Sequence, residues 1–211
     1  MKNVNIAKGT LSYPWLNKPD TKFNDLGEYK TAITIPLAQG QALADRLEAA
    51  LTEYQKEQSV NAGKKVKLHG DALPYDIDED AGTITFRLKS KVYRSKKDGE
   101  LWSWVTSFFD AKRTLIGTVA YGKNTGNVPQ IGGGTVANVS AEVNFWMVSG
   151  KVGVSLRQRG VQIITLSSGG GGESADAGAF GFGDEEGFSA SDVPAPQGMP
   201  EGMGEEEEEE F

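Results

Sequence analysis

Cations and aromatic side chains occur together on the polar faces of predicted strands in this 211-residue sequence. In TITFRLKSKVYR the alternation places most of the basic residues on one strand face, and NVSAEVNFWMV leaves a tryptophan on the polar face. Lysine and arginine neutralise phosphates, while flat rings stack on unpaired bases of any identity. The pattern therefore favours a surface that binds single-stranded nucleic acid. The candidate binding residues are Arg87, Lys89, Lys91, Tyr93, Arg94, Trp102, Trp104, Lys112, Arg113, Trp146, Lys151, Arg157 and Arg159.

The same residues also have a purely structural interpretation. A lysine-rich face often protects an edge strand from aggregation, and a tryptophan is often part of a core. In LWSWVTSFF, Trp102 and Trp104 fall on one strand face with Thr106 and Phe108. We therefore expect the two tryptophans to be either both buried or both exposed.

Motifs for catalysis or metal binding are weak. The sequence has no cysteine, which excludes disulfides and thiolate metal sites, and with His69 as its one histidine it offers no support for a Ser/His or Cys/His catalytic pair. DIDEDAG begins like a calcium loop, but Ala81 stands where glycine is required and Arg87 where a bidentate glutamate is required. IGGGT lacks the GK[ST] ending of a phosphate-binding loop and is interpreted as a loop between strands. We expect a protein that is not an enzyme and needs no cofactor or metal.

The candidate binding residues must be positioned by strands. One amphipathic helix is predicted at about residues 39–58, where Leu43, Leu47, Leu51 and Tyr54 recur at helical spacing. Most other periodic segments alternate as short antiparallel strands, and SYPWLNKPDTKFNDLG is interpreted as a loop. In NVSAEVNFWMV the alternation places Met147 inward with the other apolar residues. The prediction is a mainly β protein, a small antiparallel barrel with one inserted helix.

Three local signals refine this prediction. Asp98-Gly99 and Ser149-Gly150 are typical of tight hairpin turns. Near Arg159-Gly160 the apolar alternation changes phase, which predicts a β-bulge.

The charge divides the sequence into two parts. Residues 1–166 contain all 22 Lys and Arg against 16 Asp and Glu, a formal charge of +6, whereas residues 167–211 contain 13 acids and no Lys or Arg. The second part is rich in glycine, serine and acid, a composition that cannot bury enough apolar surface to fold. We predict one domain over 1–166 and a disordered acidic tail over 167–211. This charge asymmetry favours a polyanion as the partner of the basic domain, residues 1–166.

The sequence shows no signal for membrane insertion. The N-terminal residues lack the apolar run of a signal peptide, and no stretch of 18 apolar residues occurs. We expect a soluble protein of the cytoplasm.

Several segments, in this order, resemble the single-stranded DNA-binding proteins of short-tailed bacteriophages. They are YPWLNKPD followed by GEYKTAITIP, then VPQIGGGTVANVSAEVNFW, then GVSLRQRGVQIITL, and an acidic tail that closes on phenylalanine. The resemblance implies an oligonucleotide/oligosaccharide-binding (OB) fold. It also implies non-sequence-specific binding of single-stranded DNA in phage replication, recombination and repair, in the host cytoplasm.

The resemblance further implies roles for the acidic tail. In such proteins the tail binds the phage DNA polymerase and helicase-primase and competes with DNA for the basic face. The matching residues here are Glu205, Glu206, Glu207, Glu208, Glu209, Glu210 and Phe211.

Two other functions remain open from the residues alone. One is an acidic-tailed interaction or chaperone-like protein that binds no nucleic acid. The other is a magnesium-dependent nuclease that uses Asp76, Asp78 and Asp80. The oligomeric state is also open, a homodimer included.

Overall fold

The computed structural model describes residues 2–167, which form twelve strands and one long helix. The elements in chain order are β1 (Asn3–Asp20), β2 (Glu28–Pro36), α1 (Leu37–Asn61), β3 (Lys67–Leu68), β4 (Tyr75–Asp78), β5 (Thr83–Lys91), β6 (Tyr93–Arg94), β7 (Leu101–Trp102), β8 (Thr106–Phe109), β9 (Leu115–Val119), β10 (Thr125–Gly126), β11 (Val136–Val148) and β12 (Lys151–Thr165).

Five of these strands close into a barrel. Antiparallel pairing runs in the order β12, β11, β1, β2 and β5. Leu88 of β5 then pairs in parallel with Leu156 of β12, which joins the two ends of the sheet. A closed five-stranded barrel with this crossed connectivity is of the OB type. The predicted mainly β barrel with one inserted helix is confirmed.

The predicted alternation fills the barrel. Ile84, Phe86 and Leu88 of β5 are each no more than 1% exposed, and Val152 and Leu156 of β12 are fully buried. Because neighbouring side chains on a strand point to opposite faces, the residues between them are directed outward. The barrel interior therefore fixes which side chains of β5 and β12 face the solvent.

Helix α1 packs its apolar stripe against the barrel. Leu47 and Leu51 are buried, and Gly40 lies so close to Ile84 that a Cβ atom would overlap that side chain. The helix begins directly after Pro36, which ends β2 because it has no N–H to donate. The predicted helix is confirmed and is longer by a few residues at each end.

The predicted turns and the bulge are present. Ser149 and Gly150 have φ angles of 50° and 72° and connect β11 to β12, while Gly99 lies in the connection between β6 and β7. Ser140 pairs with Gly160 but the next residue, Ala141, pairs with Gln158, so that Arg159 is the extra residue of a bulge.

Two sequence predictions for the strands were wrong. The segment predicted as a loop over residues 12–27 belongs to β1 as far as Asp20, because β1 bulges and then continues to pair with β2. Met147 was predicted to face inward but is 46% exposed, since the end of β11 projects beyond the packed interior.

The prediction of one strand over residues 101–109 was also wrong. Strand β7 ends at Trp102 and β8 begins at Thr106. Between them Ser103 is buried, and its hydroxyl accepts a hydrogen bond from the Tyr121 backbone N–H at 2.8 Å. Trp102 and Trp104 therefore do not share a face with Thr106 and Phe108, which are buried, and both tryptophans are exposed. Within residues 2–167, no helix combines the length and apolarity needed to cross a bilayer.

Candidate nucleic-acid interface

The outer faces of β2 and β5 carry cations in register. Lys30 of β2 pairs with Lys89 of β5, and Glu28 pairs with Lys91. Where β5 and β12 close the barrel, Leu88 pairs with Leu156 and both side chains point inward. The next residue on each strand, Lys89 and Arg157, therefore points outward on the same side of the barrel. The structure therefore brings Lys89 of β5 and Arg157 of β12 onto one continuous outer face.

A cleft of about 310 Å³ opens on this face. It lies between the β1 bulge, the outer faces of β2 and β5, and the β11–β12 pair. Two aromatic side chains and three cations line it, together with two carboxylates. These residues are Tyr13, Trp146, Lys30, Arg87, Lys89, Glu28 and Asp71.

Tyr13 is held out into the solvent by an unusual backbone. It is 86% exposed and has a φ angle of 47°, in the left-handed region that costs a residue other than glycine roughly 1–3 kcal/mol. The cause is the bulge in β1, where Ser12 pairs with Ala32 but the next paired residue is Trp15, opposite Lys30. The fold therefore maintains an exposed aromatic ring at the cleft at a cost in backbone energy.

Trp146 is fixed at another side of the cleft. Its ring lies against Gly153, the residue that pairs with it on β12, and a Cβ atom at Gly153 would overlap the ring. The His69 imidazole contacts the same ring edge-on, with centroids 5.2 Å apart. Because Gly153 has no side chain, the Trp146 ring can lie flat on the strand. Any side chain at position 153 would occupy the space of the ring.

A second group of predicted residues forms an arginine–tryptophan cluster, defined as Tyr93, Trp102, Trp104, Arg157 and Arg159. The Tyr93 and Trp102 rings stack at 5.1 Å, and Trp104 contacts Trp102 edge-on at 5.5 Å. The guanidinium carbons of Arg157 and Arg159 lie 4.9 and 5.1 Å from the centre of the Trp104 ring, within range of cation–π attraction.

Carboxylates partner several cations of this face. Lys30 Nζ lies 2.6 Å from Asp20, and this ammonium is the main cause that lowers the pKa of the Asp20 carboxyl below its usual value. Arg87 pairs with Asp76 and donates a further hydrogen bond to the Leu73 carbonyl. In the described part of the chain, Lys89 and Lys91 are exposed and form no ion pair. They are thus the most accessible cations of β5.

The other predicted residues lie away from the cleft. Arg94 donates to the Gly99 carbonyl in its own hairpin, and Lys112 and Arg113 lie in the turn between β8 and β9. Lys151 begins β12 at the tight turn. The predicted tail residues 205–211 lie outside the described residues.

Sequence reasoning missed the aromatics of β1 and of the loop that follows it. Phe23 is 84% exposed with the Lys22 ammonium 5.2 Å from its ring centre, and Lys18 lies 5.8 Å from the ring of Trp15. The signal was present, since aromatics and lysines interleave in SYPWLNKPDTKF. The turn-forming residues of this segment led to its interpretation as a loop.

The candidate acidic site has the geometry of a turn. Asp76 pairs with Arg87, and Asp78 accepts a hydrogen bond from the Ala81 N–H at 2.9 Å. Residues 2–167 contain no group of three or more His, Asp or Glu side chains that could hold a metal ion.

An OB barrel whose second and third strands present a basic outer face, with aromatic side chains of neighbouring strands beside it, is the arrangement of an oligonucleotide-binding protein. The family model described as "Single-stranded DNA-binding protein, Bacteriophage T7" matches residues 8–166. The chain belongs to this family of single-stranded DNA-binding proteins. No curated protein matches the sequence at a significant level.

Solved structures show the same fold. Gp2.5, a single-stranded DNA-binding protein encoded by bacteriophage T7, superimposes with a TM-score of 0.63 at 25% identity, and the match covers 90% of this chain and 100% of that chain. The single-stranded DNA-binding protein from bacteriophage Enc34, solved in complex with single-stranded DNA, gives a TM-score of 0.54 at 11% identity, covering 80% of this chain and 89% of that chain.

Proposed function

We propose that this protein binds single-stranded DNA, without sequence preference, on the outer face of β2, β5 and β12. The observation that carries the proposal is the cleft, where Tyr13 and Trp146 are held next to Lys89 and Arg87. Family membership supports it. So does the Enc34 protein, which has this fold and was solved with single-stranded DNA.

The two kinds of residue have separate tasks. Lys89 and Lys91 form no ion pair within the described residues, so their ammonium groups can neutralise phosphates and release counterions from the strand. Tyr13 and Trp146 offer ring faces to bases, and each stacked base contributes about 1–3 kcal/mol whatever its identity. Bases within a duplex are already stacked on each other, and this favours the single strand.

A salt titration tests this proposal. The full chain is titrated with an oligothymidylate at several salt concentrations, with a hairpin duplex as competitor. The logarithm of affinity is expected to fall linearly with the logarithm of salt, with a slope of about −0.7 for each neutralised phosphate. Binding that does not depend on salt, or that favours the duplex, contradicts the proposal.

We also propose that the protein acts without catalysis in phage DNA replication and recombination, in the host cytoplasm. The acidic tail recruits the phage DNA polymerase and helicase-primase, with Glu205–Glu210 as the charged part and Phe211 as the anchor. Long-range charge accelerates encounter but discriminates little between partners. The aromatic ring of Phe211, next to the acidic run, supplies the specific contact.

Neutralising the tail is expected to tighten DNA binding. In the full chain, replacing all six residues Glu205–Glu210 by glutamine removes six of the 13 negative charges of residues 167–211. If the tail competes for the basic face, the affinity for oligothymidylate rises about tenfold at 50 mM salt and by much less at 0.3 M, where charges are screened. Phe211→Ala is the control, because it keeps every side-chain charge and should leave DNA affinity unchanged. A weaker affinity in the glutamine variant refutes the competition.

Gly153 is expected to act as a positioning residue for Trp146. Gly153→Ala introduces a methyl group where the ring now lies, so the ring must shift although no charge changes. We expect the affinity for oligothymidylate to fall about threefold to tenfold, a part of the stacking energy of one base, with an altered near-ultraviolet circular dichroism spectrum. Gly133→Ala is the matched control, because a Cβ atom there meets open space. Equal affinities for the two variants would show that the ring position is unimportant.

A further inference from the structure

Glu142 is placed between the two arginines of the arginine–tryptophan cluster. On β11 it pairs directly with Arg157. Its Oε2 atom lies 3.6 Å from Arg157 Nη1 and 3.7 Å from Arg159 Nη1. Both distances exceed that of a charge-assisted hydrogen bond, about 2.7–2.9 Å. One carboxylate oxygen therefore balances two guanidinium groups without hydrogen-bonding to either.

The arginines retain unused binding capacity. Arg159 Nη1 is buried and has no hydrogen-bond partner among the described residues. A buried donor without a partner is costly, and a guanidinium offers five donors in a fork suited to phosphate. The three charged groups carry a net charge of +1, so the group as a whole attracts a further anion.

The position of the guanidinium groups is fixed by their surroundings. Both lie over the Trp104 ring, and the side chain of Arg157 is only 12% exposed. The β-bulge at Arg159 brings that residue toward the same carboxylate. The Glu142 side chain is 26% exposed and has solvent into which it can move. The arrangement is thus a fixed pair of cations with an exchangeable counter-ion.

We propose that Arg157 and Arg159 form a phosphate-binding site and that Glu142 occupies this site in the free protein as an intramolecular competitor. The inference rests on the proposed function, since the phosphate is that of a bound single strand. A phosphodiester has two non-bridging oxygens and is not tethered to β11, so it can approach both arginines to hydrogen-bond distance, whereas the Glu142 carboxylate hydrogen-bonds to neither. Binding of the strand displaces Glu142, and the exposed rings of Trp102 and Trp104 lie next to the incoming nucleotide.

The test is a comparison of two full-length variants that change the net charge equally. Glu142→Gln removes the competitor with little change of shape, and Glu53→Gln removes the partner of Lys56 on the exposed face of α1. We expect Glu142→Gln to raise the affinity for oligothymidylate about threefold to tenfold at 50 mM salt, the range that two partly exposed charge pairs can supply. Glu53→Gln should change it by less than about twofold, as expected for an exposed pair. In a chain that already carries Arg157→Gln and Arg159→Gln, adding Glu142→Gln should no longer raise the affinity.

The outcomes separate this inference from the function on which it rests. If the wild-type chain binds oligothymidylate but Glu142→Gln binds no better than Glu53→Gln, Glu142 is not a competitor. A loss of affinity in Glu142→Gln, with unchanged thermal unfolding, would mean that the carboxylate positions the arginines, and it also overturns the inference. If neither the wild type nor any variant binds, the proposed function itself fails.

Discussion

Replacing Lys89 and Lys91 by glutamate is expected to lower the affinity for single-stranded DNA by at least about 25-fold at 0.1 M salt. Each phosphate contact on a single strand contributes about 0.7 to the logarithmic salt dependence, or about fivefold at 0.1 M relative to 1 M salt. Two lost contacts give about 25-fold, and repulsion by the new carboxylates adds to this. The slope of the salt dependence should become shallower by about 1.4.

These two lysines give a clean test because they support nothing else in the described structure. Both are exposed on β5 and neither forms an ion pair within residues 2–167, so their replacement should leave the unfolding temperature nearly unchanged. The matched control reverses Lys8 and Lys64, two exposed lysines that lie in the β1 bulge beside β11 and in the loop after α1. It produces the same change in net charge. Similar losses of affinity in the two variants would mean that overall charge, and no particular face, governs binding.

Removing the two cleft aromatics is expected to have a comparably large effect of a different kind. Trp146→Ala or Tyr13→Ala should lower the affinity about 5- to 150-fold each, the equivalent of about 1–3 kcal/mol for one stacked base. No phosphate contact is lost, so the slope of the salt dependence should stay the same. Titrations with oligothymidylate at three salt concentrations distinguish the two effects.

The conservative variants are the controls for this second prediction. Trp146→Phe and Tyr13→Phe keep a ring at each position and should recover most of the affinity. If they bind as weakly as the alanine variants, a ring face at these positions is not sufficient for binding, and stacking is not their contribution. A change in salt slope in the alanine variants would contradict the separate tasks assigned to rings and cations.

The mainly β class and the basic outer face could be predicted because strand periodicity determines which side chains point inward. Once Ile84, Phe86 and Leu88 are placed inside, Arg87 and Lys89 must point outward. The helix could also be predicted from the sequence, since its apolar residues recur at helical spacing and form the face that packs on the barrel. The bulge at Arg159 was visible as a change of phase.

The missed features depend on contacts between distant segments. Glu142 faces Arg157 only because of the register between β11 and β12, and nothing in either strand by itself indicates it. Tyr13 is exposed because of a bulge whose position is set by pairing with β2. The strand predicted over 101–109 breaks because Ser103 hydrogen-bonds to Tyr121, a residue 18 positions away. Local alternation contains no information on such partners.

The most direct test of the central claim is to map where a bound strand touches the protein. An oligothymidylate carrying photoreactive 5-iodouracil is crosslinked to the full chain by ultraviolet light, and the modified peptides are identified by mass spectrometry. We expect adducts at Tyr13 and Trp146, with further adducts at Trp102 or Trp104, and their loss on addition of unlabelled strand. Adducts confined to α1 or to the turn between β8 and β9 would contradict the binding face proposed here.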